Sequence, residues 1–347
     1  MFHGRATSLP SQERDDLKTI RSLTPYLWSW RGRVGAALLA LIMAKGTNVA
    51  IPLVLKGIID SLNNGNSEPL VLPIMLLLGY GALRMSSSLF NELRDAIFAR
   101  VRHGAMSKVS KRVLAHLHNL SLRFHLDRKT GAITRDIDRG TRAVSSLLNY
   151  LVFSILPTLI EIGMIMGILL WQYDIWFTII TFVSVGMYMI FTFKITEWRM
   201  QFRIKMNETD SHANTLAVDS LINYETVKYF GNEDYEQQRY SETMTQWEDA
   251  AVKSQTTMSA LNVGQTIIIA SAVTLIMILA SQGVVDGSMT LGDLVLVNAF
   301  LIQLFIPLGF LGIVYSQLKH ALSDIDLMFK IIDERSEIND KADATEL

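Results

Sequence analysis

Residues 147–196 read LLNYLVFSILPTLIEIGMIMGILLWQYDIWFTIITFVSVGMYMIFTFKIT. Two apolar stretches, roughly 147–170 and 176–196, are parted by a link of a few residues, Gln172–Ile175, that carries no Lys or Arg. Each is close to the ~20 residues a helix needs to cross a bilayer. Trp171, Tyr173 and Trp176 flank the link and Trp198 follows the second stretch, where aromatic side chains mark the two membrane interfaces. The segment reads as a transmembrane hairpin. Outward from it the pattern repeats, with apolar stretches at roughly 34–58, 70–89, 258–282 and 291–315. The short links Asp60–Pro69 and Gly283–Thr290 also lack Lys and Arg. Nearly all basic residues precede the first stretch, fill the two long even-numbered links, or follow the last. Positive residues stay on the cytoplasmic side, so the expectation is six spanning helices, both termini inside, and two large cytoplasmic excursions.

Composition agrees. Half the residues are hydrophobic and 19% are charged, which excludes a pair of ordinary soluble domains. With no cysteine in the chain, disulfides, thiolate metal sites and cysteine nucleophiles are excluded. His116, His118 and His125 match no metal-ligand spacing and read as a solvated helix face; no metal site and no catalytic residue is expected. The first thirty residues include Glu13, Asp15 and Asp16, unlike a signal or acid-poor transit peptide, so an intact bacterial start is expected. Leu17, Ile20, Leu23, Leu27 and Trp30 fall at near-helical spacing among basic residues, as in an amphipathic helix at the inner membrane surface.

The excursions, about 91–146 and 197–257, read as continuations of the membrane helices. Val101, Val109, Val113 and Leu117 recur at multiples of four in the first; Leu216, Leu221, Val227 and Phe230 are spaced among charges in the second. About 25 further residues project ~35–40 Å beyond the bilayer, and such helices need a partner for their apolar stripe. Each is interrupted near its middle, at Asp127–Gly131 and at Phe230-Gly231-Asn232, giving helical hairpins with cytosolic tips. Pro52, Pro157 and Pro307 lie within spans and are expected to kink them.

Ionisable groups inside a bilayer are costly. Glu161 is expected to pair with Lys45, with Lys56 and Arg84 as the other available cations. Arg199 and Arg203, four apart, share a helix face that Tyr188, Thr192 and Ile195 continue; Asn262 and Gln265 share a face of the fifth span, and Phe310, Ser316 and Gln317 of the sixth are expected at similar depth. Guanidiniums bind carboxylates bidentately and carboxamides pair with a peptide backbone, so the set suits a peptide-like anion. Snorkelling for the arginines and helix–helix hydrogen bonding for the amides are the plainer alternatives.

Phe124-His-Leu-Asp-Arg-Lys-Thr-Gly131 with Asp136-Ile-Asp-Arg-Gly-Thr-Arg142 resembles the first intracellular loop of ABC exporters. Leu216-Ala-Val-Asp-Ser-Leu-Ile-Asn-Tyr-Glu-Thr-Val-Lys-Tyr-Phe230 resembles the second. Gly292–Asn298 and Pro307–Gly312 resemble the sixth span of the mitochondrial and bacterial half-transporters that export glutathione-linked compounds and support iron–sulfur and heavy-metal handling. The resemblance covers roughly 20–335. It implies an all-α membrane protein of the six-helix exporter fold, working as a domain-swapped homodimer. Residues 1–33 would be a cytoplasmic N-terminus, 34–320 the membrane domain and 321–347 a linker. It also implies coupling helices around Phe124–Gly131 and Asn223–Tyr229, with Phe124, Asp127, Gly131, Asn223, Glu225, Thr226 and Tyr229 meeting nucleotide-binding domains. The glutathione-site positions fall on Tyr188, Arg199, Arg203, Asn262, Gln265 and Phe310; Ser316 stands after Tyr315 where the family often has arginine.

No G-x-x-x-x-G-K-[ST] phosphate loop occurs in the 347 residues. ATP and Mg are therefore expected in the full transporter and no cofactor in this chain, with the ATPase either fused beyond Leu347 or a separate polypeptide. The expected partners are a second copy, that nucleotide-binding domain, the bilayer and a glutathione-like substrate, with no nucleic acid. The expected location is the bacterial inner membrane, with the mitochondrial inner membrane as the alternative. Export of a lipid or hydrophobic drug, and a non-transporting membrane scaffold, remain open readings.

Overall fold

A computed structural model describes residues 16–63, 72–121, 123–124 and 130–334. Their regular structure is all helical: α1 (Asp16–Trp28), α2 (Arg31–Asn63), α3 (Ile74–His118), α4 (Thr130–Tyr150), α5 (Leu156–Gln172), α6 (Ile175–Ile222), α7 (Tyr224–Phe230), α8 (Glu233–Val285), α9 (Leu291–Gly309) and α10 (Leu311–Ile332). A π-helical turn, Leu151–Ile155, joins α4 to α5 without a break. Its cause is local: Pro157 follows directly, and a proline ring collides with the carbonyl four residues back. The wider turn relieves that collision, with the Leu156 N–H reaching back to the Leu151 carbonyl.

Among the described residues, five helical segments are long and apolar enough to cross a membrane: Arg31–Asn63, Thr134–Gln172, Ile175–Ile222, Glu233–Val285 and Leu291–Ile332. The second expected span is the first part of α3, helical from Ile74; Arg84, Ser86–Ser88 and two glycines make it less apolar than those five. It lies along α2: the Ser87 hydroxyl donates to the Ala44 carbonyl at 3.5 Å, and Gly57 allows the Leu76 side chain within 3.6 Å of where a Cβ would stand.

The tight hairpin is present. Tyr173 and Asp174 alone separate α5 from α6, and Asp174 caps the new helix by accepting the Trp176 N–H at 3.1 Å. The long links continue the membrane helices as expected. α3 has 45 residues, about 68 Å at ~1.5 Å per residue.

The chain forms two compact units, one of Val183–Ala272 and one of Gln12–Phe182 with Val273–Leu347. The larger unit contains the partner that the α3 stripe requires. Val101, Ala105, Val109 and Val113 recur every four residues and are buried, against Val144, Leu147 and Leu148 of α4 and Leu322, Ile325 and Met328 of α10. A Cβ on Gly140 would stand 2.4 Å from Met328 Cβ, so only glycine permits α4 and α10 to approach this closely. Met328 thus joins the last helix to the first excursion. α1 is tied to the same helix: the Arg112 guanidinium donates to the Tyr26 hydroxyl at 3.0 Å and Lys108 to the Ser29 hydroxyl at 2.9 Å.

The Pro307 kink and the short helix about Asn223–Tyr229 are both present, each as a full break in the chain. The sixth span is not one rod: α9 ends after Pro307 and the chain turns at Phe310 before α10 begins. The second excursion is broken twice, at Asn223 and at Gly231, which isolates α7 as a separate helix. Gly231 adopts φ 59°, the left-handed region that favours glycine, and the Asn232 N–H returns to the Val227 carbonyl at 3.0 Å to close the helix end.

Candidate functional site

Within the unit 183–272, α6 and α8 run antiparallel, and three contacts give their register. Phe191 presses on Gly264, where a Cβ would stand 2.1 Å from the ring. The Gln265 amide donates to the Thr192 hydroxyl at 2.9 Å, with both residues buried. Nearer the cytoplasm, the Arg199 Nε donates to the Ser254 carbonyl at 3.3 Å. Each step along α6 is matched by a reverse step along α8.

These contacts sort the expected ligand residues. Gln265 is engaged in a helix–helix hydrogen bond, the plainer of the two roles open to it. Tyr188 is buried. Asn262 and Arg203 are exposed, and Arg199 is half-buried. Neither arginine forms an ion pair among the described residues, so two guanidiniums one turn apart keep charge without a carboxylate. Phe310 is exposed and belongs to the other unit; Ser316, also there, is buried. The sequence signalled the shared α6 face but not Ser254, whose contribution is a backbone carbonyl that no side-chain pattern announces.

The tip of the same unit carries α7. Its sequence, YETVKYF, buries none of its residues. Tyr224, Tyr229 and Phe230 stand exposed, as do Leu221 and Ile222 at the end of α6. A groove of about 450 Å³ beside them is lined by Leu216, Leu221, Tyr224, Val227 and Tyr240 among others. Asn223 precedes the helix and its amide donates to the Asp219 carbonyl at 2.9 Å; Glu225 and Thr226 are exposed on its first turn. Lys228 reaches over the Gly231 turn to Glu233 at 2.6 Å. That hydrogen bond, with the carboxylate's charge, holds the Lys228 ammonium above its ordinary value. An apolar helix end exposed beside such a groove marks an interaction surface. Of the first excursion's tip, the Phe124 N–H donates to the Ser121 hydroxyl at 3.5 Å and Gly131 lies in the first turn of α4. Asp127 and His125 fall outside the described residues.

The larger unit treats its membrane-level charges differently. Glu161 is buried and accepts from Lys45 at 2.6 Å, from Asn48 at 3.0 Å and from Gln303 at 2.5 Å. The Lys45 pairing matches expectation; Asn48, one turn from Lys45, and Gln303 complete a set joining α2, α5 and α9. Lys56 does not serve Glu161. It pairs with Asp293, which also accepts from the Tyr173 hydroxyl at 2.5 Å and from the Thr290 backbone and hydroxyl at 2.9 and 3.0 Å. Burial, then the hydrogen bond and charge of Asp293, raise the Tyr173 phenol far above its ordinary value. The Thr290-x-x-Asp293 spacing is a capping box, a signal in the sequence that would have located this cluster.

Residues 34–308 match the family described as ABC transporter transmembrane region. The chain is 43% identical to the mitochondrial ABC transporter B family member 24 of Arabidopsis thaliana, over 98% of this chain and 53% of that protein. It is 42% identical to the human mitochondrial iron-sulfur clusters transporter ABCB7, over 96% of this chain and 46% of that protein. A solved structure described as a bacterial Atm1-family ABC exporter with ATP bound superposes with a TM-score of 0.68 at 39% identity, covering 91% of this chain and 56% of that one. The chain spans about half the length of the curated relatives it matches.

Proposed function

The chain belongs to the ABC transporter transmembrane family, and on that premise we propose that it is the membrane part of an ATP-driven exporter of glutathione-type conjugates, metal- or sulfur-linked forms included. The observation that carries the substrate class is the pair Arg199 and Arg203: cations one turn apart, at the inner end of a membrane helix, without a carboxylate of their own among the described residues. Charge of that kind selects an anion, and the planar guanidinium matches a peptide carboxylate. Asn262, exposed on α8, offers an amide to a peptide backbone. The printed names of the curated relatives, iron-sulfur clusters transporters among them, support metal- or sulfur-containing cargo.

The motor is assigned to nucleotide-binding domains outside this sequence, fused or separate, which hold ATP and Mg. α7 is the surface offered to them, through Tyr224, Tyr229 and Phe230 with Glu225 and Thr226 beside them. From Tyr224 back to Arg199, α6 is unbroken until Asn223, about 37 Å of helix, and α8 returns antiparallel beside it. A displacement of the tip is therefore delivered at the arginines by a stiff two-helix lever. Substrate biases the cycle only if it binds the two states unequally, which requires that the arginines change surroundings as the lever moves. The exporter acts as a homodimer in the bilayer. The mitochondrial names of the curated relatives favour the mitochondrial inner membrane, and the bacterial solved relative keeps the bacterial inner membrane as the other location. Export of a lipid or hydrophobic drug is the second reading, favoured by Ser316, which supplies no charge in the sixth span.

The test is Arg203→Glu in the full transporter. Stimulation of ATP hydrolysis by oxidised glutathione is expected to disappear while basal hydrolysis persists. Unchanged stimulation removes the two arginines from the substrate site.

A further inference from the structure

The first half of α3 presents three distinct faces. One packs on α2 through Leu76 and Ser87. A second is wholly apolar and exposed: Leu78, Met85, Leu89 and Leu93 are 65%, 76%, 66% and 46% exposed, and they recur at helical spacing as a lipid-facing stripe does. The third carries Tyr80, Arg84 and Ser88, successive residues four apart. Arg84 and Ser88 are exposed although the face is polar.

Depth makes this third face informative. Arg84 lies inside the apolar stretch of roughly 70–89 that the sequence marks as the second span. It therefore stands within a hydrocarbon core ~30 Å thick. An ionisable group there faces protein or water. The lysines of the neighbouring span each have a carboxylate: Lys45 has Glu161 and Lys56 has Asp293. Arg84 has only the neutral Tyr80 hydroxyl, to which its Nη1 donates at 3.3 Å. Among the described residues no carboxylate pairs with it. An unmatched cation at this depth calls for an anion that comes and goes.

We propose that Arg84 faces the water-filled translocation path and binds a carboxylate of the exported conjugate, with Tyr80 holding its guanidinium in position. The identity of the anion rests on the exporter reading above; the residue and its exposure to the path do not.

The chain's lack of cysteine makes the test direct. In the full transporter, Arg84→Cys is treated with an anionic, water-soluble methanethiosulfonate, with Met85→Cys on the lipid stripe as control and mass analysis locating the label in this chain. Labelling at 84 but not at 85, slowed by oxidised glutathione, is expected. In parallel, Arg84→Gln is expected to weaken binding of oxidised glutathione about tenfold, the loss of one charge-assisted contact. Its neutral tetra-ester should bind as before, and Arg84→Lys should stay within about threefold of wild type. No labelling at 84, or equal losses for the acid and the ester, overturns the inference. A wild type that binds oxidised glutathione and an Arg84→Gln variant that binds it equally well overturn this inference alone. A wild type that binds none overturns the substrate reading with it.

Discussion

Charge near the membrane is handled in two ways in this molecule. In the larger unit Glu161 is surrounded by Lys45, Asn48 and Gln303, and Asp293 by Lys56, Tyr173 and Thr290. Each of these two acids is answered by a base and by neutral donors. In the unit 183–272, Arg199 has a backbone carbonyl, and neither Arg199 nor Arg203 has an acid among the described residues. On the proposed function, the difference separates structural charge from ligand-binding charge. A matched cluster joins helices and is satisfied without a ligand; an unmatched cation is tolerable beside an aqueous chamber and is available to one. Removing a member of a matched set should therefore cost stability and leave affinity alone, while removing an unmatched cation should do the reverse.

The largest effect is expected at the matched set. Lys45→Met leaves the Glu161 carboxylate, 3% exposed, buried without its cation, a loss of about 3–5 kcal/mol. Thermal unfolding in nanodiscs should register it, and protein that survives should bind oxidised glutathione as wild type does. Pairing it with Glu161→Gln should recover a large part of the loss, since neither charge then remains. Equal instability of the double variant would mean that the cluster acts through packing rather than charge.

Next in size is Arg199→Gln. Loss of a charge-assisted contact of about 1.5–3 kcal/mol corresponds to roughly ten- to hundredfold weaker binding. Calorimetric titration with oxidised glutathione measures it, and the unfolding midpoint should hardly move. A parallel fall in stability would place Arg199 with the matched clusters and erase the contrast.

Much of this organisation was legible in the sequence. The Lys- and Arg-free links announced the hairpin of α5 and α6, and the four-residue recurrence of Val101, Val109 and Val113 announced a buried stripe. The partner of that stripe was not legible, because Met328 and Ile325 lie two hundred residues further on and only the close approach at Gly140 joins them. The second span is legible as a long apolar run, but its packing along α2 through Ser87 and Leu76 is not, because that register depends on two helices at once. Spacing puts Gln265 on a shared polar face, whereas the Thr192 hydroxyl opposite it depends on the register between helices and is not legible. Asp293 is legible as well, because Thr290 three residues before it spells a helix cap.

The smallest effect concerns that register. Gln265→Leu removes one buried hydrogen bond and leaves the Thr192 hydroxyl unanswered, about 1–3 kcal/mol. Thr192→Val with Gln265→Leu replaces both partners by apolar groups and should be nearly neutral. Affinity for oxidised glutathione should change little in either variant; a drop comparable to that of Arg199→Gln would restore Gln265 as a direct ligand.

The central contrast is tested most directly by measuring affinity and unfolding midpoint together on Arg199→Gln/Arg203→Gln in the full transporter. The account predicts at least a hundredfold weaker binding of oxidised glutathione, about 2.7 kcal/mol or more, with an unchanged midpoint. Wild-type affinity in the double variant, or a midpoint that falls in step with affinity, would contradict it.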